Sequence, residues 1–372
     1  MFGLNHLKII YLKIMRPTYD LQVSQFVPSD QCDFVRQRVF RVRWFLKYVK
    51  RLALFFLSAQ SFRVWTDQGC LKDVQRILWI NLAAPSLGDS LMDLSGRVML
   101  REYDVDLLTS DKNENLYRAD DIFSKITTNP RVARHWHQVQ PYQVIIVDSF
   151  APRVLWQKLR VSIGVPLVGL YGFVNGFEVH RTYFAFRRLE YLLGACGGQP
   201  VKPHLNIPAH LVGAHKKHNG ICIAVGGEWD FRTYDRWADV IDGLINTFPI
   251  VLVGSDNGLV DAAKISQRFP QVCSYVGRLS LLETAACIAG SRFFIGADGG
   301  LWHIACALGI PSLVLFADCA LYDESGRLHD RSTRDTKALS LYAETKVSEI
   351  SPEQIVKSCL AAINARSQVL GA

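Results

Sequence analysis

Phe293-Phe294-Ile295-Gly296-Ala297-Asp298-Gly299-Gly300-Leu301-Trp302-His303-Ile304-Ala305-Cys306-Ala307-Leu308-Gly309-Ile310-Pro311 reads as strand, turn, helix and the approach to a second strand. An apolar run ends at Gly296, a carboxylate and two glycines turn the chain, and a helix starts near Leu301. Gly309 ends that helix, and Pro311 leads into the next apolar run, Ser312-Leu313-Val314-Leu315-Phe316.

The same alternation extends outward. Continuous apolar runs rich in β-branched residues recur at 221–225 and 250–253, and earlier at 77–80, 105–108, 144–147 and 167–170. Such runs suit strands covered on both faces, and helical stretches such as 234–248 and 280–289 separate most of them. A Pro/Gly-rich stretch (Gly197, Gly198, Pro200, Pro203, Pro208) divides the two sets. The reading is an α/β protein with two Rossmann-like, doubly wound parallel-sheet domains facing a cleft, at 76–200 and 201–350. An N-terminal arm occupies 1–75, and an amphipathic helix closes the chain in 351–372. Ligands in such folds sit at the carboxyl ends of the strands.

The 372 residues are 49% hydrophobic and 20% charged, which is a globular composition and excludes a disordered chain. A net charge of +8 calls for an anionic partner: nucleic acid, a membrane surface or a phosphorylated substrate. Nine cysteines, scattered and never in a Cys-x-x-Cys pair, read as reduced thiols, most of them in core stretches, of a cytosolic protein. Lys8 and Lys13 bracket the first apolar stretch too closely for a signal sequence, and no run approaches the roughly 20 residues of a spanning helix.

Two turns carry candidate chemistry. Gly299 and Gly300 at a helix start would let a phosphate approach unpaired N–H groups at the positive end of the dipole, with His303 on the first turn donating to the same anion. Equally, Asp298 could be only a helix N-cap beside a tight turn. The other turn, Ser86-Leu87-Gly88-Asp89, follows the strand at 77–80. It places Asp89 where a base could take a proton from an incoming hydroxyl, or where a helix merely needs a cap.

In their order and spacing, Ser86-Leu87-Gly88-Asp89, Gly277-Arg278-Leu279-Ser280-Leu281 and the Asp298-Gly299-Gly300…His303…Gly309-Ile310-Pro311 segment resemble glycosyltransferase family nine, the lipopolysaccharide heptosyltransferases. The resemblance covers roughly residues 76–320. It implies a GT-B fold and inverting, metal-independent transfer of a heptose or related sugar from an ADP-sugar to a lipopolysaccharide or lipooligosaccharide core. By position, Asp89 is the implied general base, with Ser86 and Gly88 forming the acceptor-side turn. On the donor side it implies Asp298 for sugar hydroxyls and Gly299, Gly300 and His303 for the diphosphate. Leu279 is assigned to adenine and Asp256 to ribose. No metal and no resident cofactor is implied, the nucleotide sugar being a substrate.

After the strand ending at Val225 the family usually carries Lys-x-Trp-Pro. Here Gly226-Gly227-Glu228-Trp229-Asp230-Phe231-Arg232 stands instead, with Asp230 at the lysine position. Either Arg232 supplies the phosphate charge beside Gly226 and Gly227, or the donor differs. Phe316-Ala317-Asp318-Cys319 likewise replaces a common Gly-Pro-Thr. Two alternatives stay beside the main reading: a protein (autotransporter) acceptor, and a non-catalytic nucleotide-sugar-binding scaffold.

In the arm, Val35, Val39, Val42, Leu46, Val49, Ala53 and Phe56 form one apolar helical stripe among arginines and lysines, and no acid occurs between Phe34 and Trp65. A basic amphipathic helix of this kind lies on anionic lipid, or else docks on protein with its charge solvated. The expected partners are a nucleotide-sugar donor, a lipid-linked oligosaccharide acceptor and an anionic inner-membrane surface met through residues 34–66. Nucleic acid is not expected, and the protein is expected in the cytoplasm, peripheral to that membrane.

Overall fold

The computed structural model describes residues 49–50, 53–54, 63–82, 87–170, 181–199, 201–214, 218–317 and 338–370. The chain divides into two compact units, Met1–Pro203 and His204–Ala372.

In the first unit β1 (Arg76–Ile80), β2 (Asp104–Leu108), β3 (Phe123–Thr127), β4 (Val144–Val147) and β5 (Leu167–Gly169) form one parallel sheet in the order β3-β2-β1-β4-β5. Helices α1 (Leu87–Asp93), α2 (Asp111–Tyr117), α3 (Pro130–Val139), α4 (Pro152–Val161) and α5 (Arg181–Leu193) alternate with the strands or follow them. Every residue of β1 and β4 is buried, as their unbroken apolar runs require. Several charged groups drawn into this core are paired. Arg97 Nε donates to Asp120 Oδ2 at 2.7 Å, and Arg76 pairs with Asp104 and with Asp106. The Tyr142 hydroxyl donates to Asp106 at 2.7 Å, and burial pushes the Asp106 carboxyl above its ordinary range.

In the second unit β6 (Ile221–Ala224), β7 (Ile250–Val253), β8 (Cys273–Ser274), β9 (Phe293–Ala297), β10 (Ser312–Ala317) and β11 (Leu339–Ala343) form a parallel sheet in the order β11-β10-β9-β6-β7-β8. Its helices are α6 (Ala209–Ala214), α7 (Trp237–Leu244), α8 (Leu259–Arg268), α9 (Leu281–Ala289), α10 (Gly300–Ala307) and α11 (Pro352–Leu370). Ser280 caps α9 in a capping box closed by Glu283. The closing helix belongs to this unit's core, which takes Ile355, Cys359 and Ile363 from it. In both sheets the strand order reverses beside the first strand, the doubly wound arrangement.

The sequence reading omits β3, β8 and β11. β3 shows two exposed residues, β8 has two residues and neither is buried, and only the last residue of β11 is buried. Strands at a sheet margin need no continuous apolar run. The cysteines are less uniformly buried than their surroundings imply. Among those described, Cys222, Cys287 and Cys359 are buried, whereas Cys196 and Cys273 are exposed, and none is in a disulfide. Most of the arm lies outside the described residues, as do Ser86, Asp318 and Cys319.

Candidate functional site

In the second unit the carboxyl ends of β6, β7 and β9 meet where the strand order reverses, and a cavity of about 190 Å³ opens there. Its lining comes from three loops: Gly226, Gly227, Glu228, Trp229 and Arg232 after β6, Gly254, Ser255 and Asn257 after β7, and Asp298, Gly299 and Gly300 after β9.

Glycine is required where these loops cross. Gly226 has φ +88°, and a Cβ there would stand 2.8 Å from Asn257 Oδ1 and 2.9 Å from Gly258 Cα. A Cβ on Gly258 would stand 2.6 Å from the Val225 carbonyl oxygen. Asn257 Nδ2 donates to the Gly227 carbonyl at 2.8 Å, and Ser255 Oγ donates to Asn257 Oδ1 at 2.8 Å. The β6 and β7 loops therefore form one frame.

Helix α10 starts at this cavity. Its N-cap is Gly299, in extended backbone (φ −175°), and no side chain caps it. Asp298 is thus not the helix cap. Its Oδ2 lies 3.2 Å from Arg232 Nη2, its Oδ1 lies 3.8 Å from His303 Nε2, and its carbonyl accepts from Arg232 Nη1 at 3.3 Å. An uncapped helix start beside a guanidinium is a site for an anion, because the first-turn N–H groups have no intrahelical partner and sit at the positive end of the dipole.

Arg232 ends a short 3-10 turn, Asp230–Arg232, and its guanidinium stands over the Phe231 ring, 5.4 Å from the centroid. Asp230, at the family's lysine position, is itself paired with a lysine: Lys346 Nζ lies 2.6 Å from its Oδ2. That bond and the Asp230 charge raise the Lys346 pKa.

Of the residues singled out in sequence, Gly226, Gly227, Arg232, Asp298, Gly299 and Gly300 line the cavity, and His303 adjoins it through Asp298. Asp256 and Leu279 do not line it. Asp256 is exposed and Leu279 half-buried, and Gly277 links their loops. The Gly277 N–H donates to the Gly254 carbonyl at 2.9 Å, and a Cβ on Gly277 would stand 2.9 Å from Asp256 Oδ1. In the first unit Asp89 lies half-buried in the first turn of α1, beside buried Gly88. The next residue, Ser90, moors that turn: its hydroxyl bonds Asn81, just past β1, and lies 2.8 Å from the Tyr117 hydroxyl.

Trp229 was quoted in the sequence without a role, yet it lines the cavity with 53% of its surface exposed. The signal was a tryptophan standing in a glycine turn directly after a buried strand. Ser255 and Asn257 gave no such signal. Among the described residues no group of three His, Cys, Asp or Glu side chains gathers as a metal site.

Two Rossmann-like units of parallel sheet, with a glycine-framed cavity at the switch point of the second, correspond to the GT-B type of fold. Residues 197–323 match the model of glycosyltransferase family 9 (heptosyltransferase), and the chain is a glycosyltransferase. Solved structures agree on the fold. The family 9 glycosyl transferase from Veillonella parvula DSM 2008 aligns with TM-score 0.66 at 14% identity over 80% of this chain and 99% of its own. The E. coli ADP-heptose LPS heptosyltransferase II gives 0.62 at 17% over 79% and 100%. The E. coli heptosyltransferase WaaC with ADP gives 0.63 at 14% over 77% and 100%. A search of curated protein sequences finds no match.

Proposed function

We propose that the second unit binds an ADP-sugar and that the enzyme transfers its heptose, or a related sugar, with inversion and without a metal ion, to a lipopolysaccharide or lipooligosaccharide core acceptor. The observation that carries this reading is the uncapped start of α10 facing a cavity that Arg232 shares. The diphosphate lies against the N–H groups of Gly299 and Gly300 and the backbone of Gly226 and Gly227, with Arg232 supplying the cation and His303 a further donor. As the bond to the anomeric carbon breaks, negative charge grows on the leaving phosphate, and these preoriented donors stabilise it. Asp298 moves from Arg232 to hydroxyls of the sugar. Asp256 takes the ribose and Leu279 the adenine. Asp89 removes the proton of the attacking acceptor hydroxyl. The enzyme works at the cytoplasmic side of the inner membrane, which residues 34–66 help it reach.

Calorimetric titration with ADP, UDP and GDP, without added metal, tests the donor. Selective ADP binding that is lost in Arg232→Gln supports the reading. A preference for UDP or GDP replaces the donor, and no binding of any of the three refutes it.

A further inference from the structure

Two packed helices of the first unit carry a surface that the donor chemistry does not use. α3 and α4 lie against each other and turn Ala133, Val154, Leu155 and Val161 inward. Outside they leave large apolar side chains. Val139 is 74% exposed, Trp156 56%, and Ile163, just beyond α4, 58%. Large apolar groups left exposed on two helices that pack together point to an interaction surface.

The exposed charge along this stretch of chain has one sign. Between Asp121 and Glu178 the sequence holds a single acid, Asp148, which is fully buried and accepts from Trp79 Nε1 at 3.3 Å. Arg131, Arg134 and Arg153 are exposed in the same stretch, and Arg160 is half-buried. Arg153, Trp156 and Arg160 recur at three- and four-residue spacing, and so share one stripe of α4.

The turn bearing Ile163 is pinned, since its carbonyl accepts from Lys158 Nζ and from Arg63 Nη1, each at 3.1 Å. Arg63 also marks where the arm joins the folded unit: Val64 bridges to Leu167, and the Trp65 N–H donates to the Leu167 carbonyl at 2.8 Å. The arm, acid-free from 34 to 65, therefore enters at the edge of this same basic, apolar face. The arm is a poor cover for it, because the arm brings like charge, and so would a second copy of the face. Nucleic acid would satisfy the arginines but leave Trp156, Ile163 and Val139 without contact.

We propose that the α3–α4 face docks on an anionic lipid bilayer. Trp156, Ile163 and Val139 enter the headgroup layer, and Arg131, Arg134 and Arg160 meet lipid phosphates. The proposal is independent of the nucleotide donor.

The test is sedimentation of the full chain with phosphatidylcholine vesicles, with and without phosphatidylglycerol. Binding is expected only with phosphatidylglycerol. It should weaken by about fivefold per lost arginine in Arg131→Gln/Arg134→Gln. Trp156→Ser/Ile163→Ser should weaken it at least as much, and Val260→Ser, an exposed apolar control in the second unit, should leave it unchanged. The arginine pair is exposed, so it keeps the test decisive if the apolar pair lowers stability. Absence of vesicle binding overturns the proposal, and so does binding indifferent to both pairs, which would assign lipid to the arm alone. Preference for duplex DNA, or self-association abolished by the apolar pair, would overturn it as well.

Discussion

Arg232 and Asp298 meet across the loops after β6 and β9, guanidinium Nη2 to carboxylate Oδ2 at 3.2 Å, each side chain about one-fifth exposed. The pair joins the segment that replaces the family's lysine motif to the segment that most resembles the family. On the proposed reading its partners exchange when a diphosphate arrives, because an anion at the start of α10 would compete with Asp298 for the same guanidinium.

Arg232→Gln is accordingly expected to lower kcat by about 10²–10³, the usual loss when one donor to developing charge is removed. Arg232→Lys should recover part of it. Steady-state kinetics with an ADP-sugar checks both, and an unchanged kcat would take Arg232 out of the reaction.

Asp89→Asn removes the proposed base while keeping the size of the side chain. Turnover should fall by about 10²–10⁴, while ADP affinity, read by calorimetry, stays within about twofold of wild type. Loss of both together would show that Asp89 holds the fold or the donor instead of the proton.

Two glycine substitutions should separate frame from ligand room. Gly226→Ala meets Asn257 and Gly258 and forces a side chain into the left-handed region, so the second unit should lose about 1–3 kcal/mol in denaturant titration. Gly299→Ala sits in extended backbone with nothing but the Ala297 carbonyl oxygen nearby, at 3.7 Å. It should unfold like wild type yet bind ADP more weakly. Equal stability of the two variants would contradict the packing described.

Lys158 gives a pH dependence. Burial, with the Arg63 charge nearby, lowers its pKa from 10.5 to about 7. Below about pH 7 folded and unfolded chains both hold the proton, and the burial penalty is constant. Between about 7 and 10.5 only the unfolded chain holds it, so stability should rise with pH across that window, by at most about 1.4 kcal/mol per unit. Lys158→Met should flatten the rise. Denaturation midpoints over this range decide it, and an identical slope in the variant would exclude Lys158 as the source.

The sequence disclosed what burial on both faces makes visible. β1, β4, β6, β7, β9 and β10 stand out because central parallel strands are continuous apolar runs. β3, β8 and β11 did not, because a marginal strand is held by its neighbour's backbone and needs little side-chain burial. The same limit applies to the site. Gly226, Gly299 and Asp298 were legible as a glycine turn at a strand end. The Asp230–Lys346 pair was not, since it joins positions far apart in sequence. Nor did periodicity distinguish Asp298 as a cap from Asp298 as a partner of Arg232. Only the position of Gly299 at the helix start decides that.

The interlocked backbones at Gly226 and Gly258 carry an evolutionary consequence. Drift is closed to the cradle itself, where almost any added atom collides with the neighbouring loop. Descendants that acquire a taste for another nucleotide must do so through side chains that project from it, Trp229, Glu228 and Ser255 first among them, and so novelty in this enzyme has to enter at the rim.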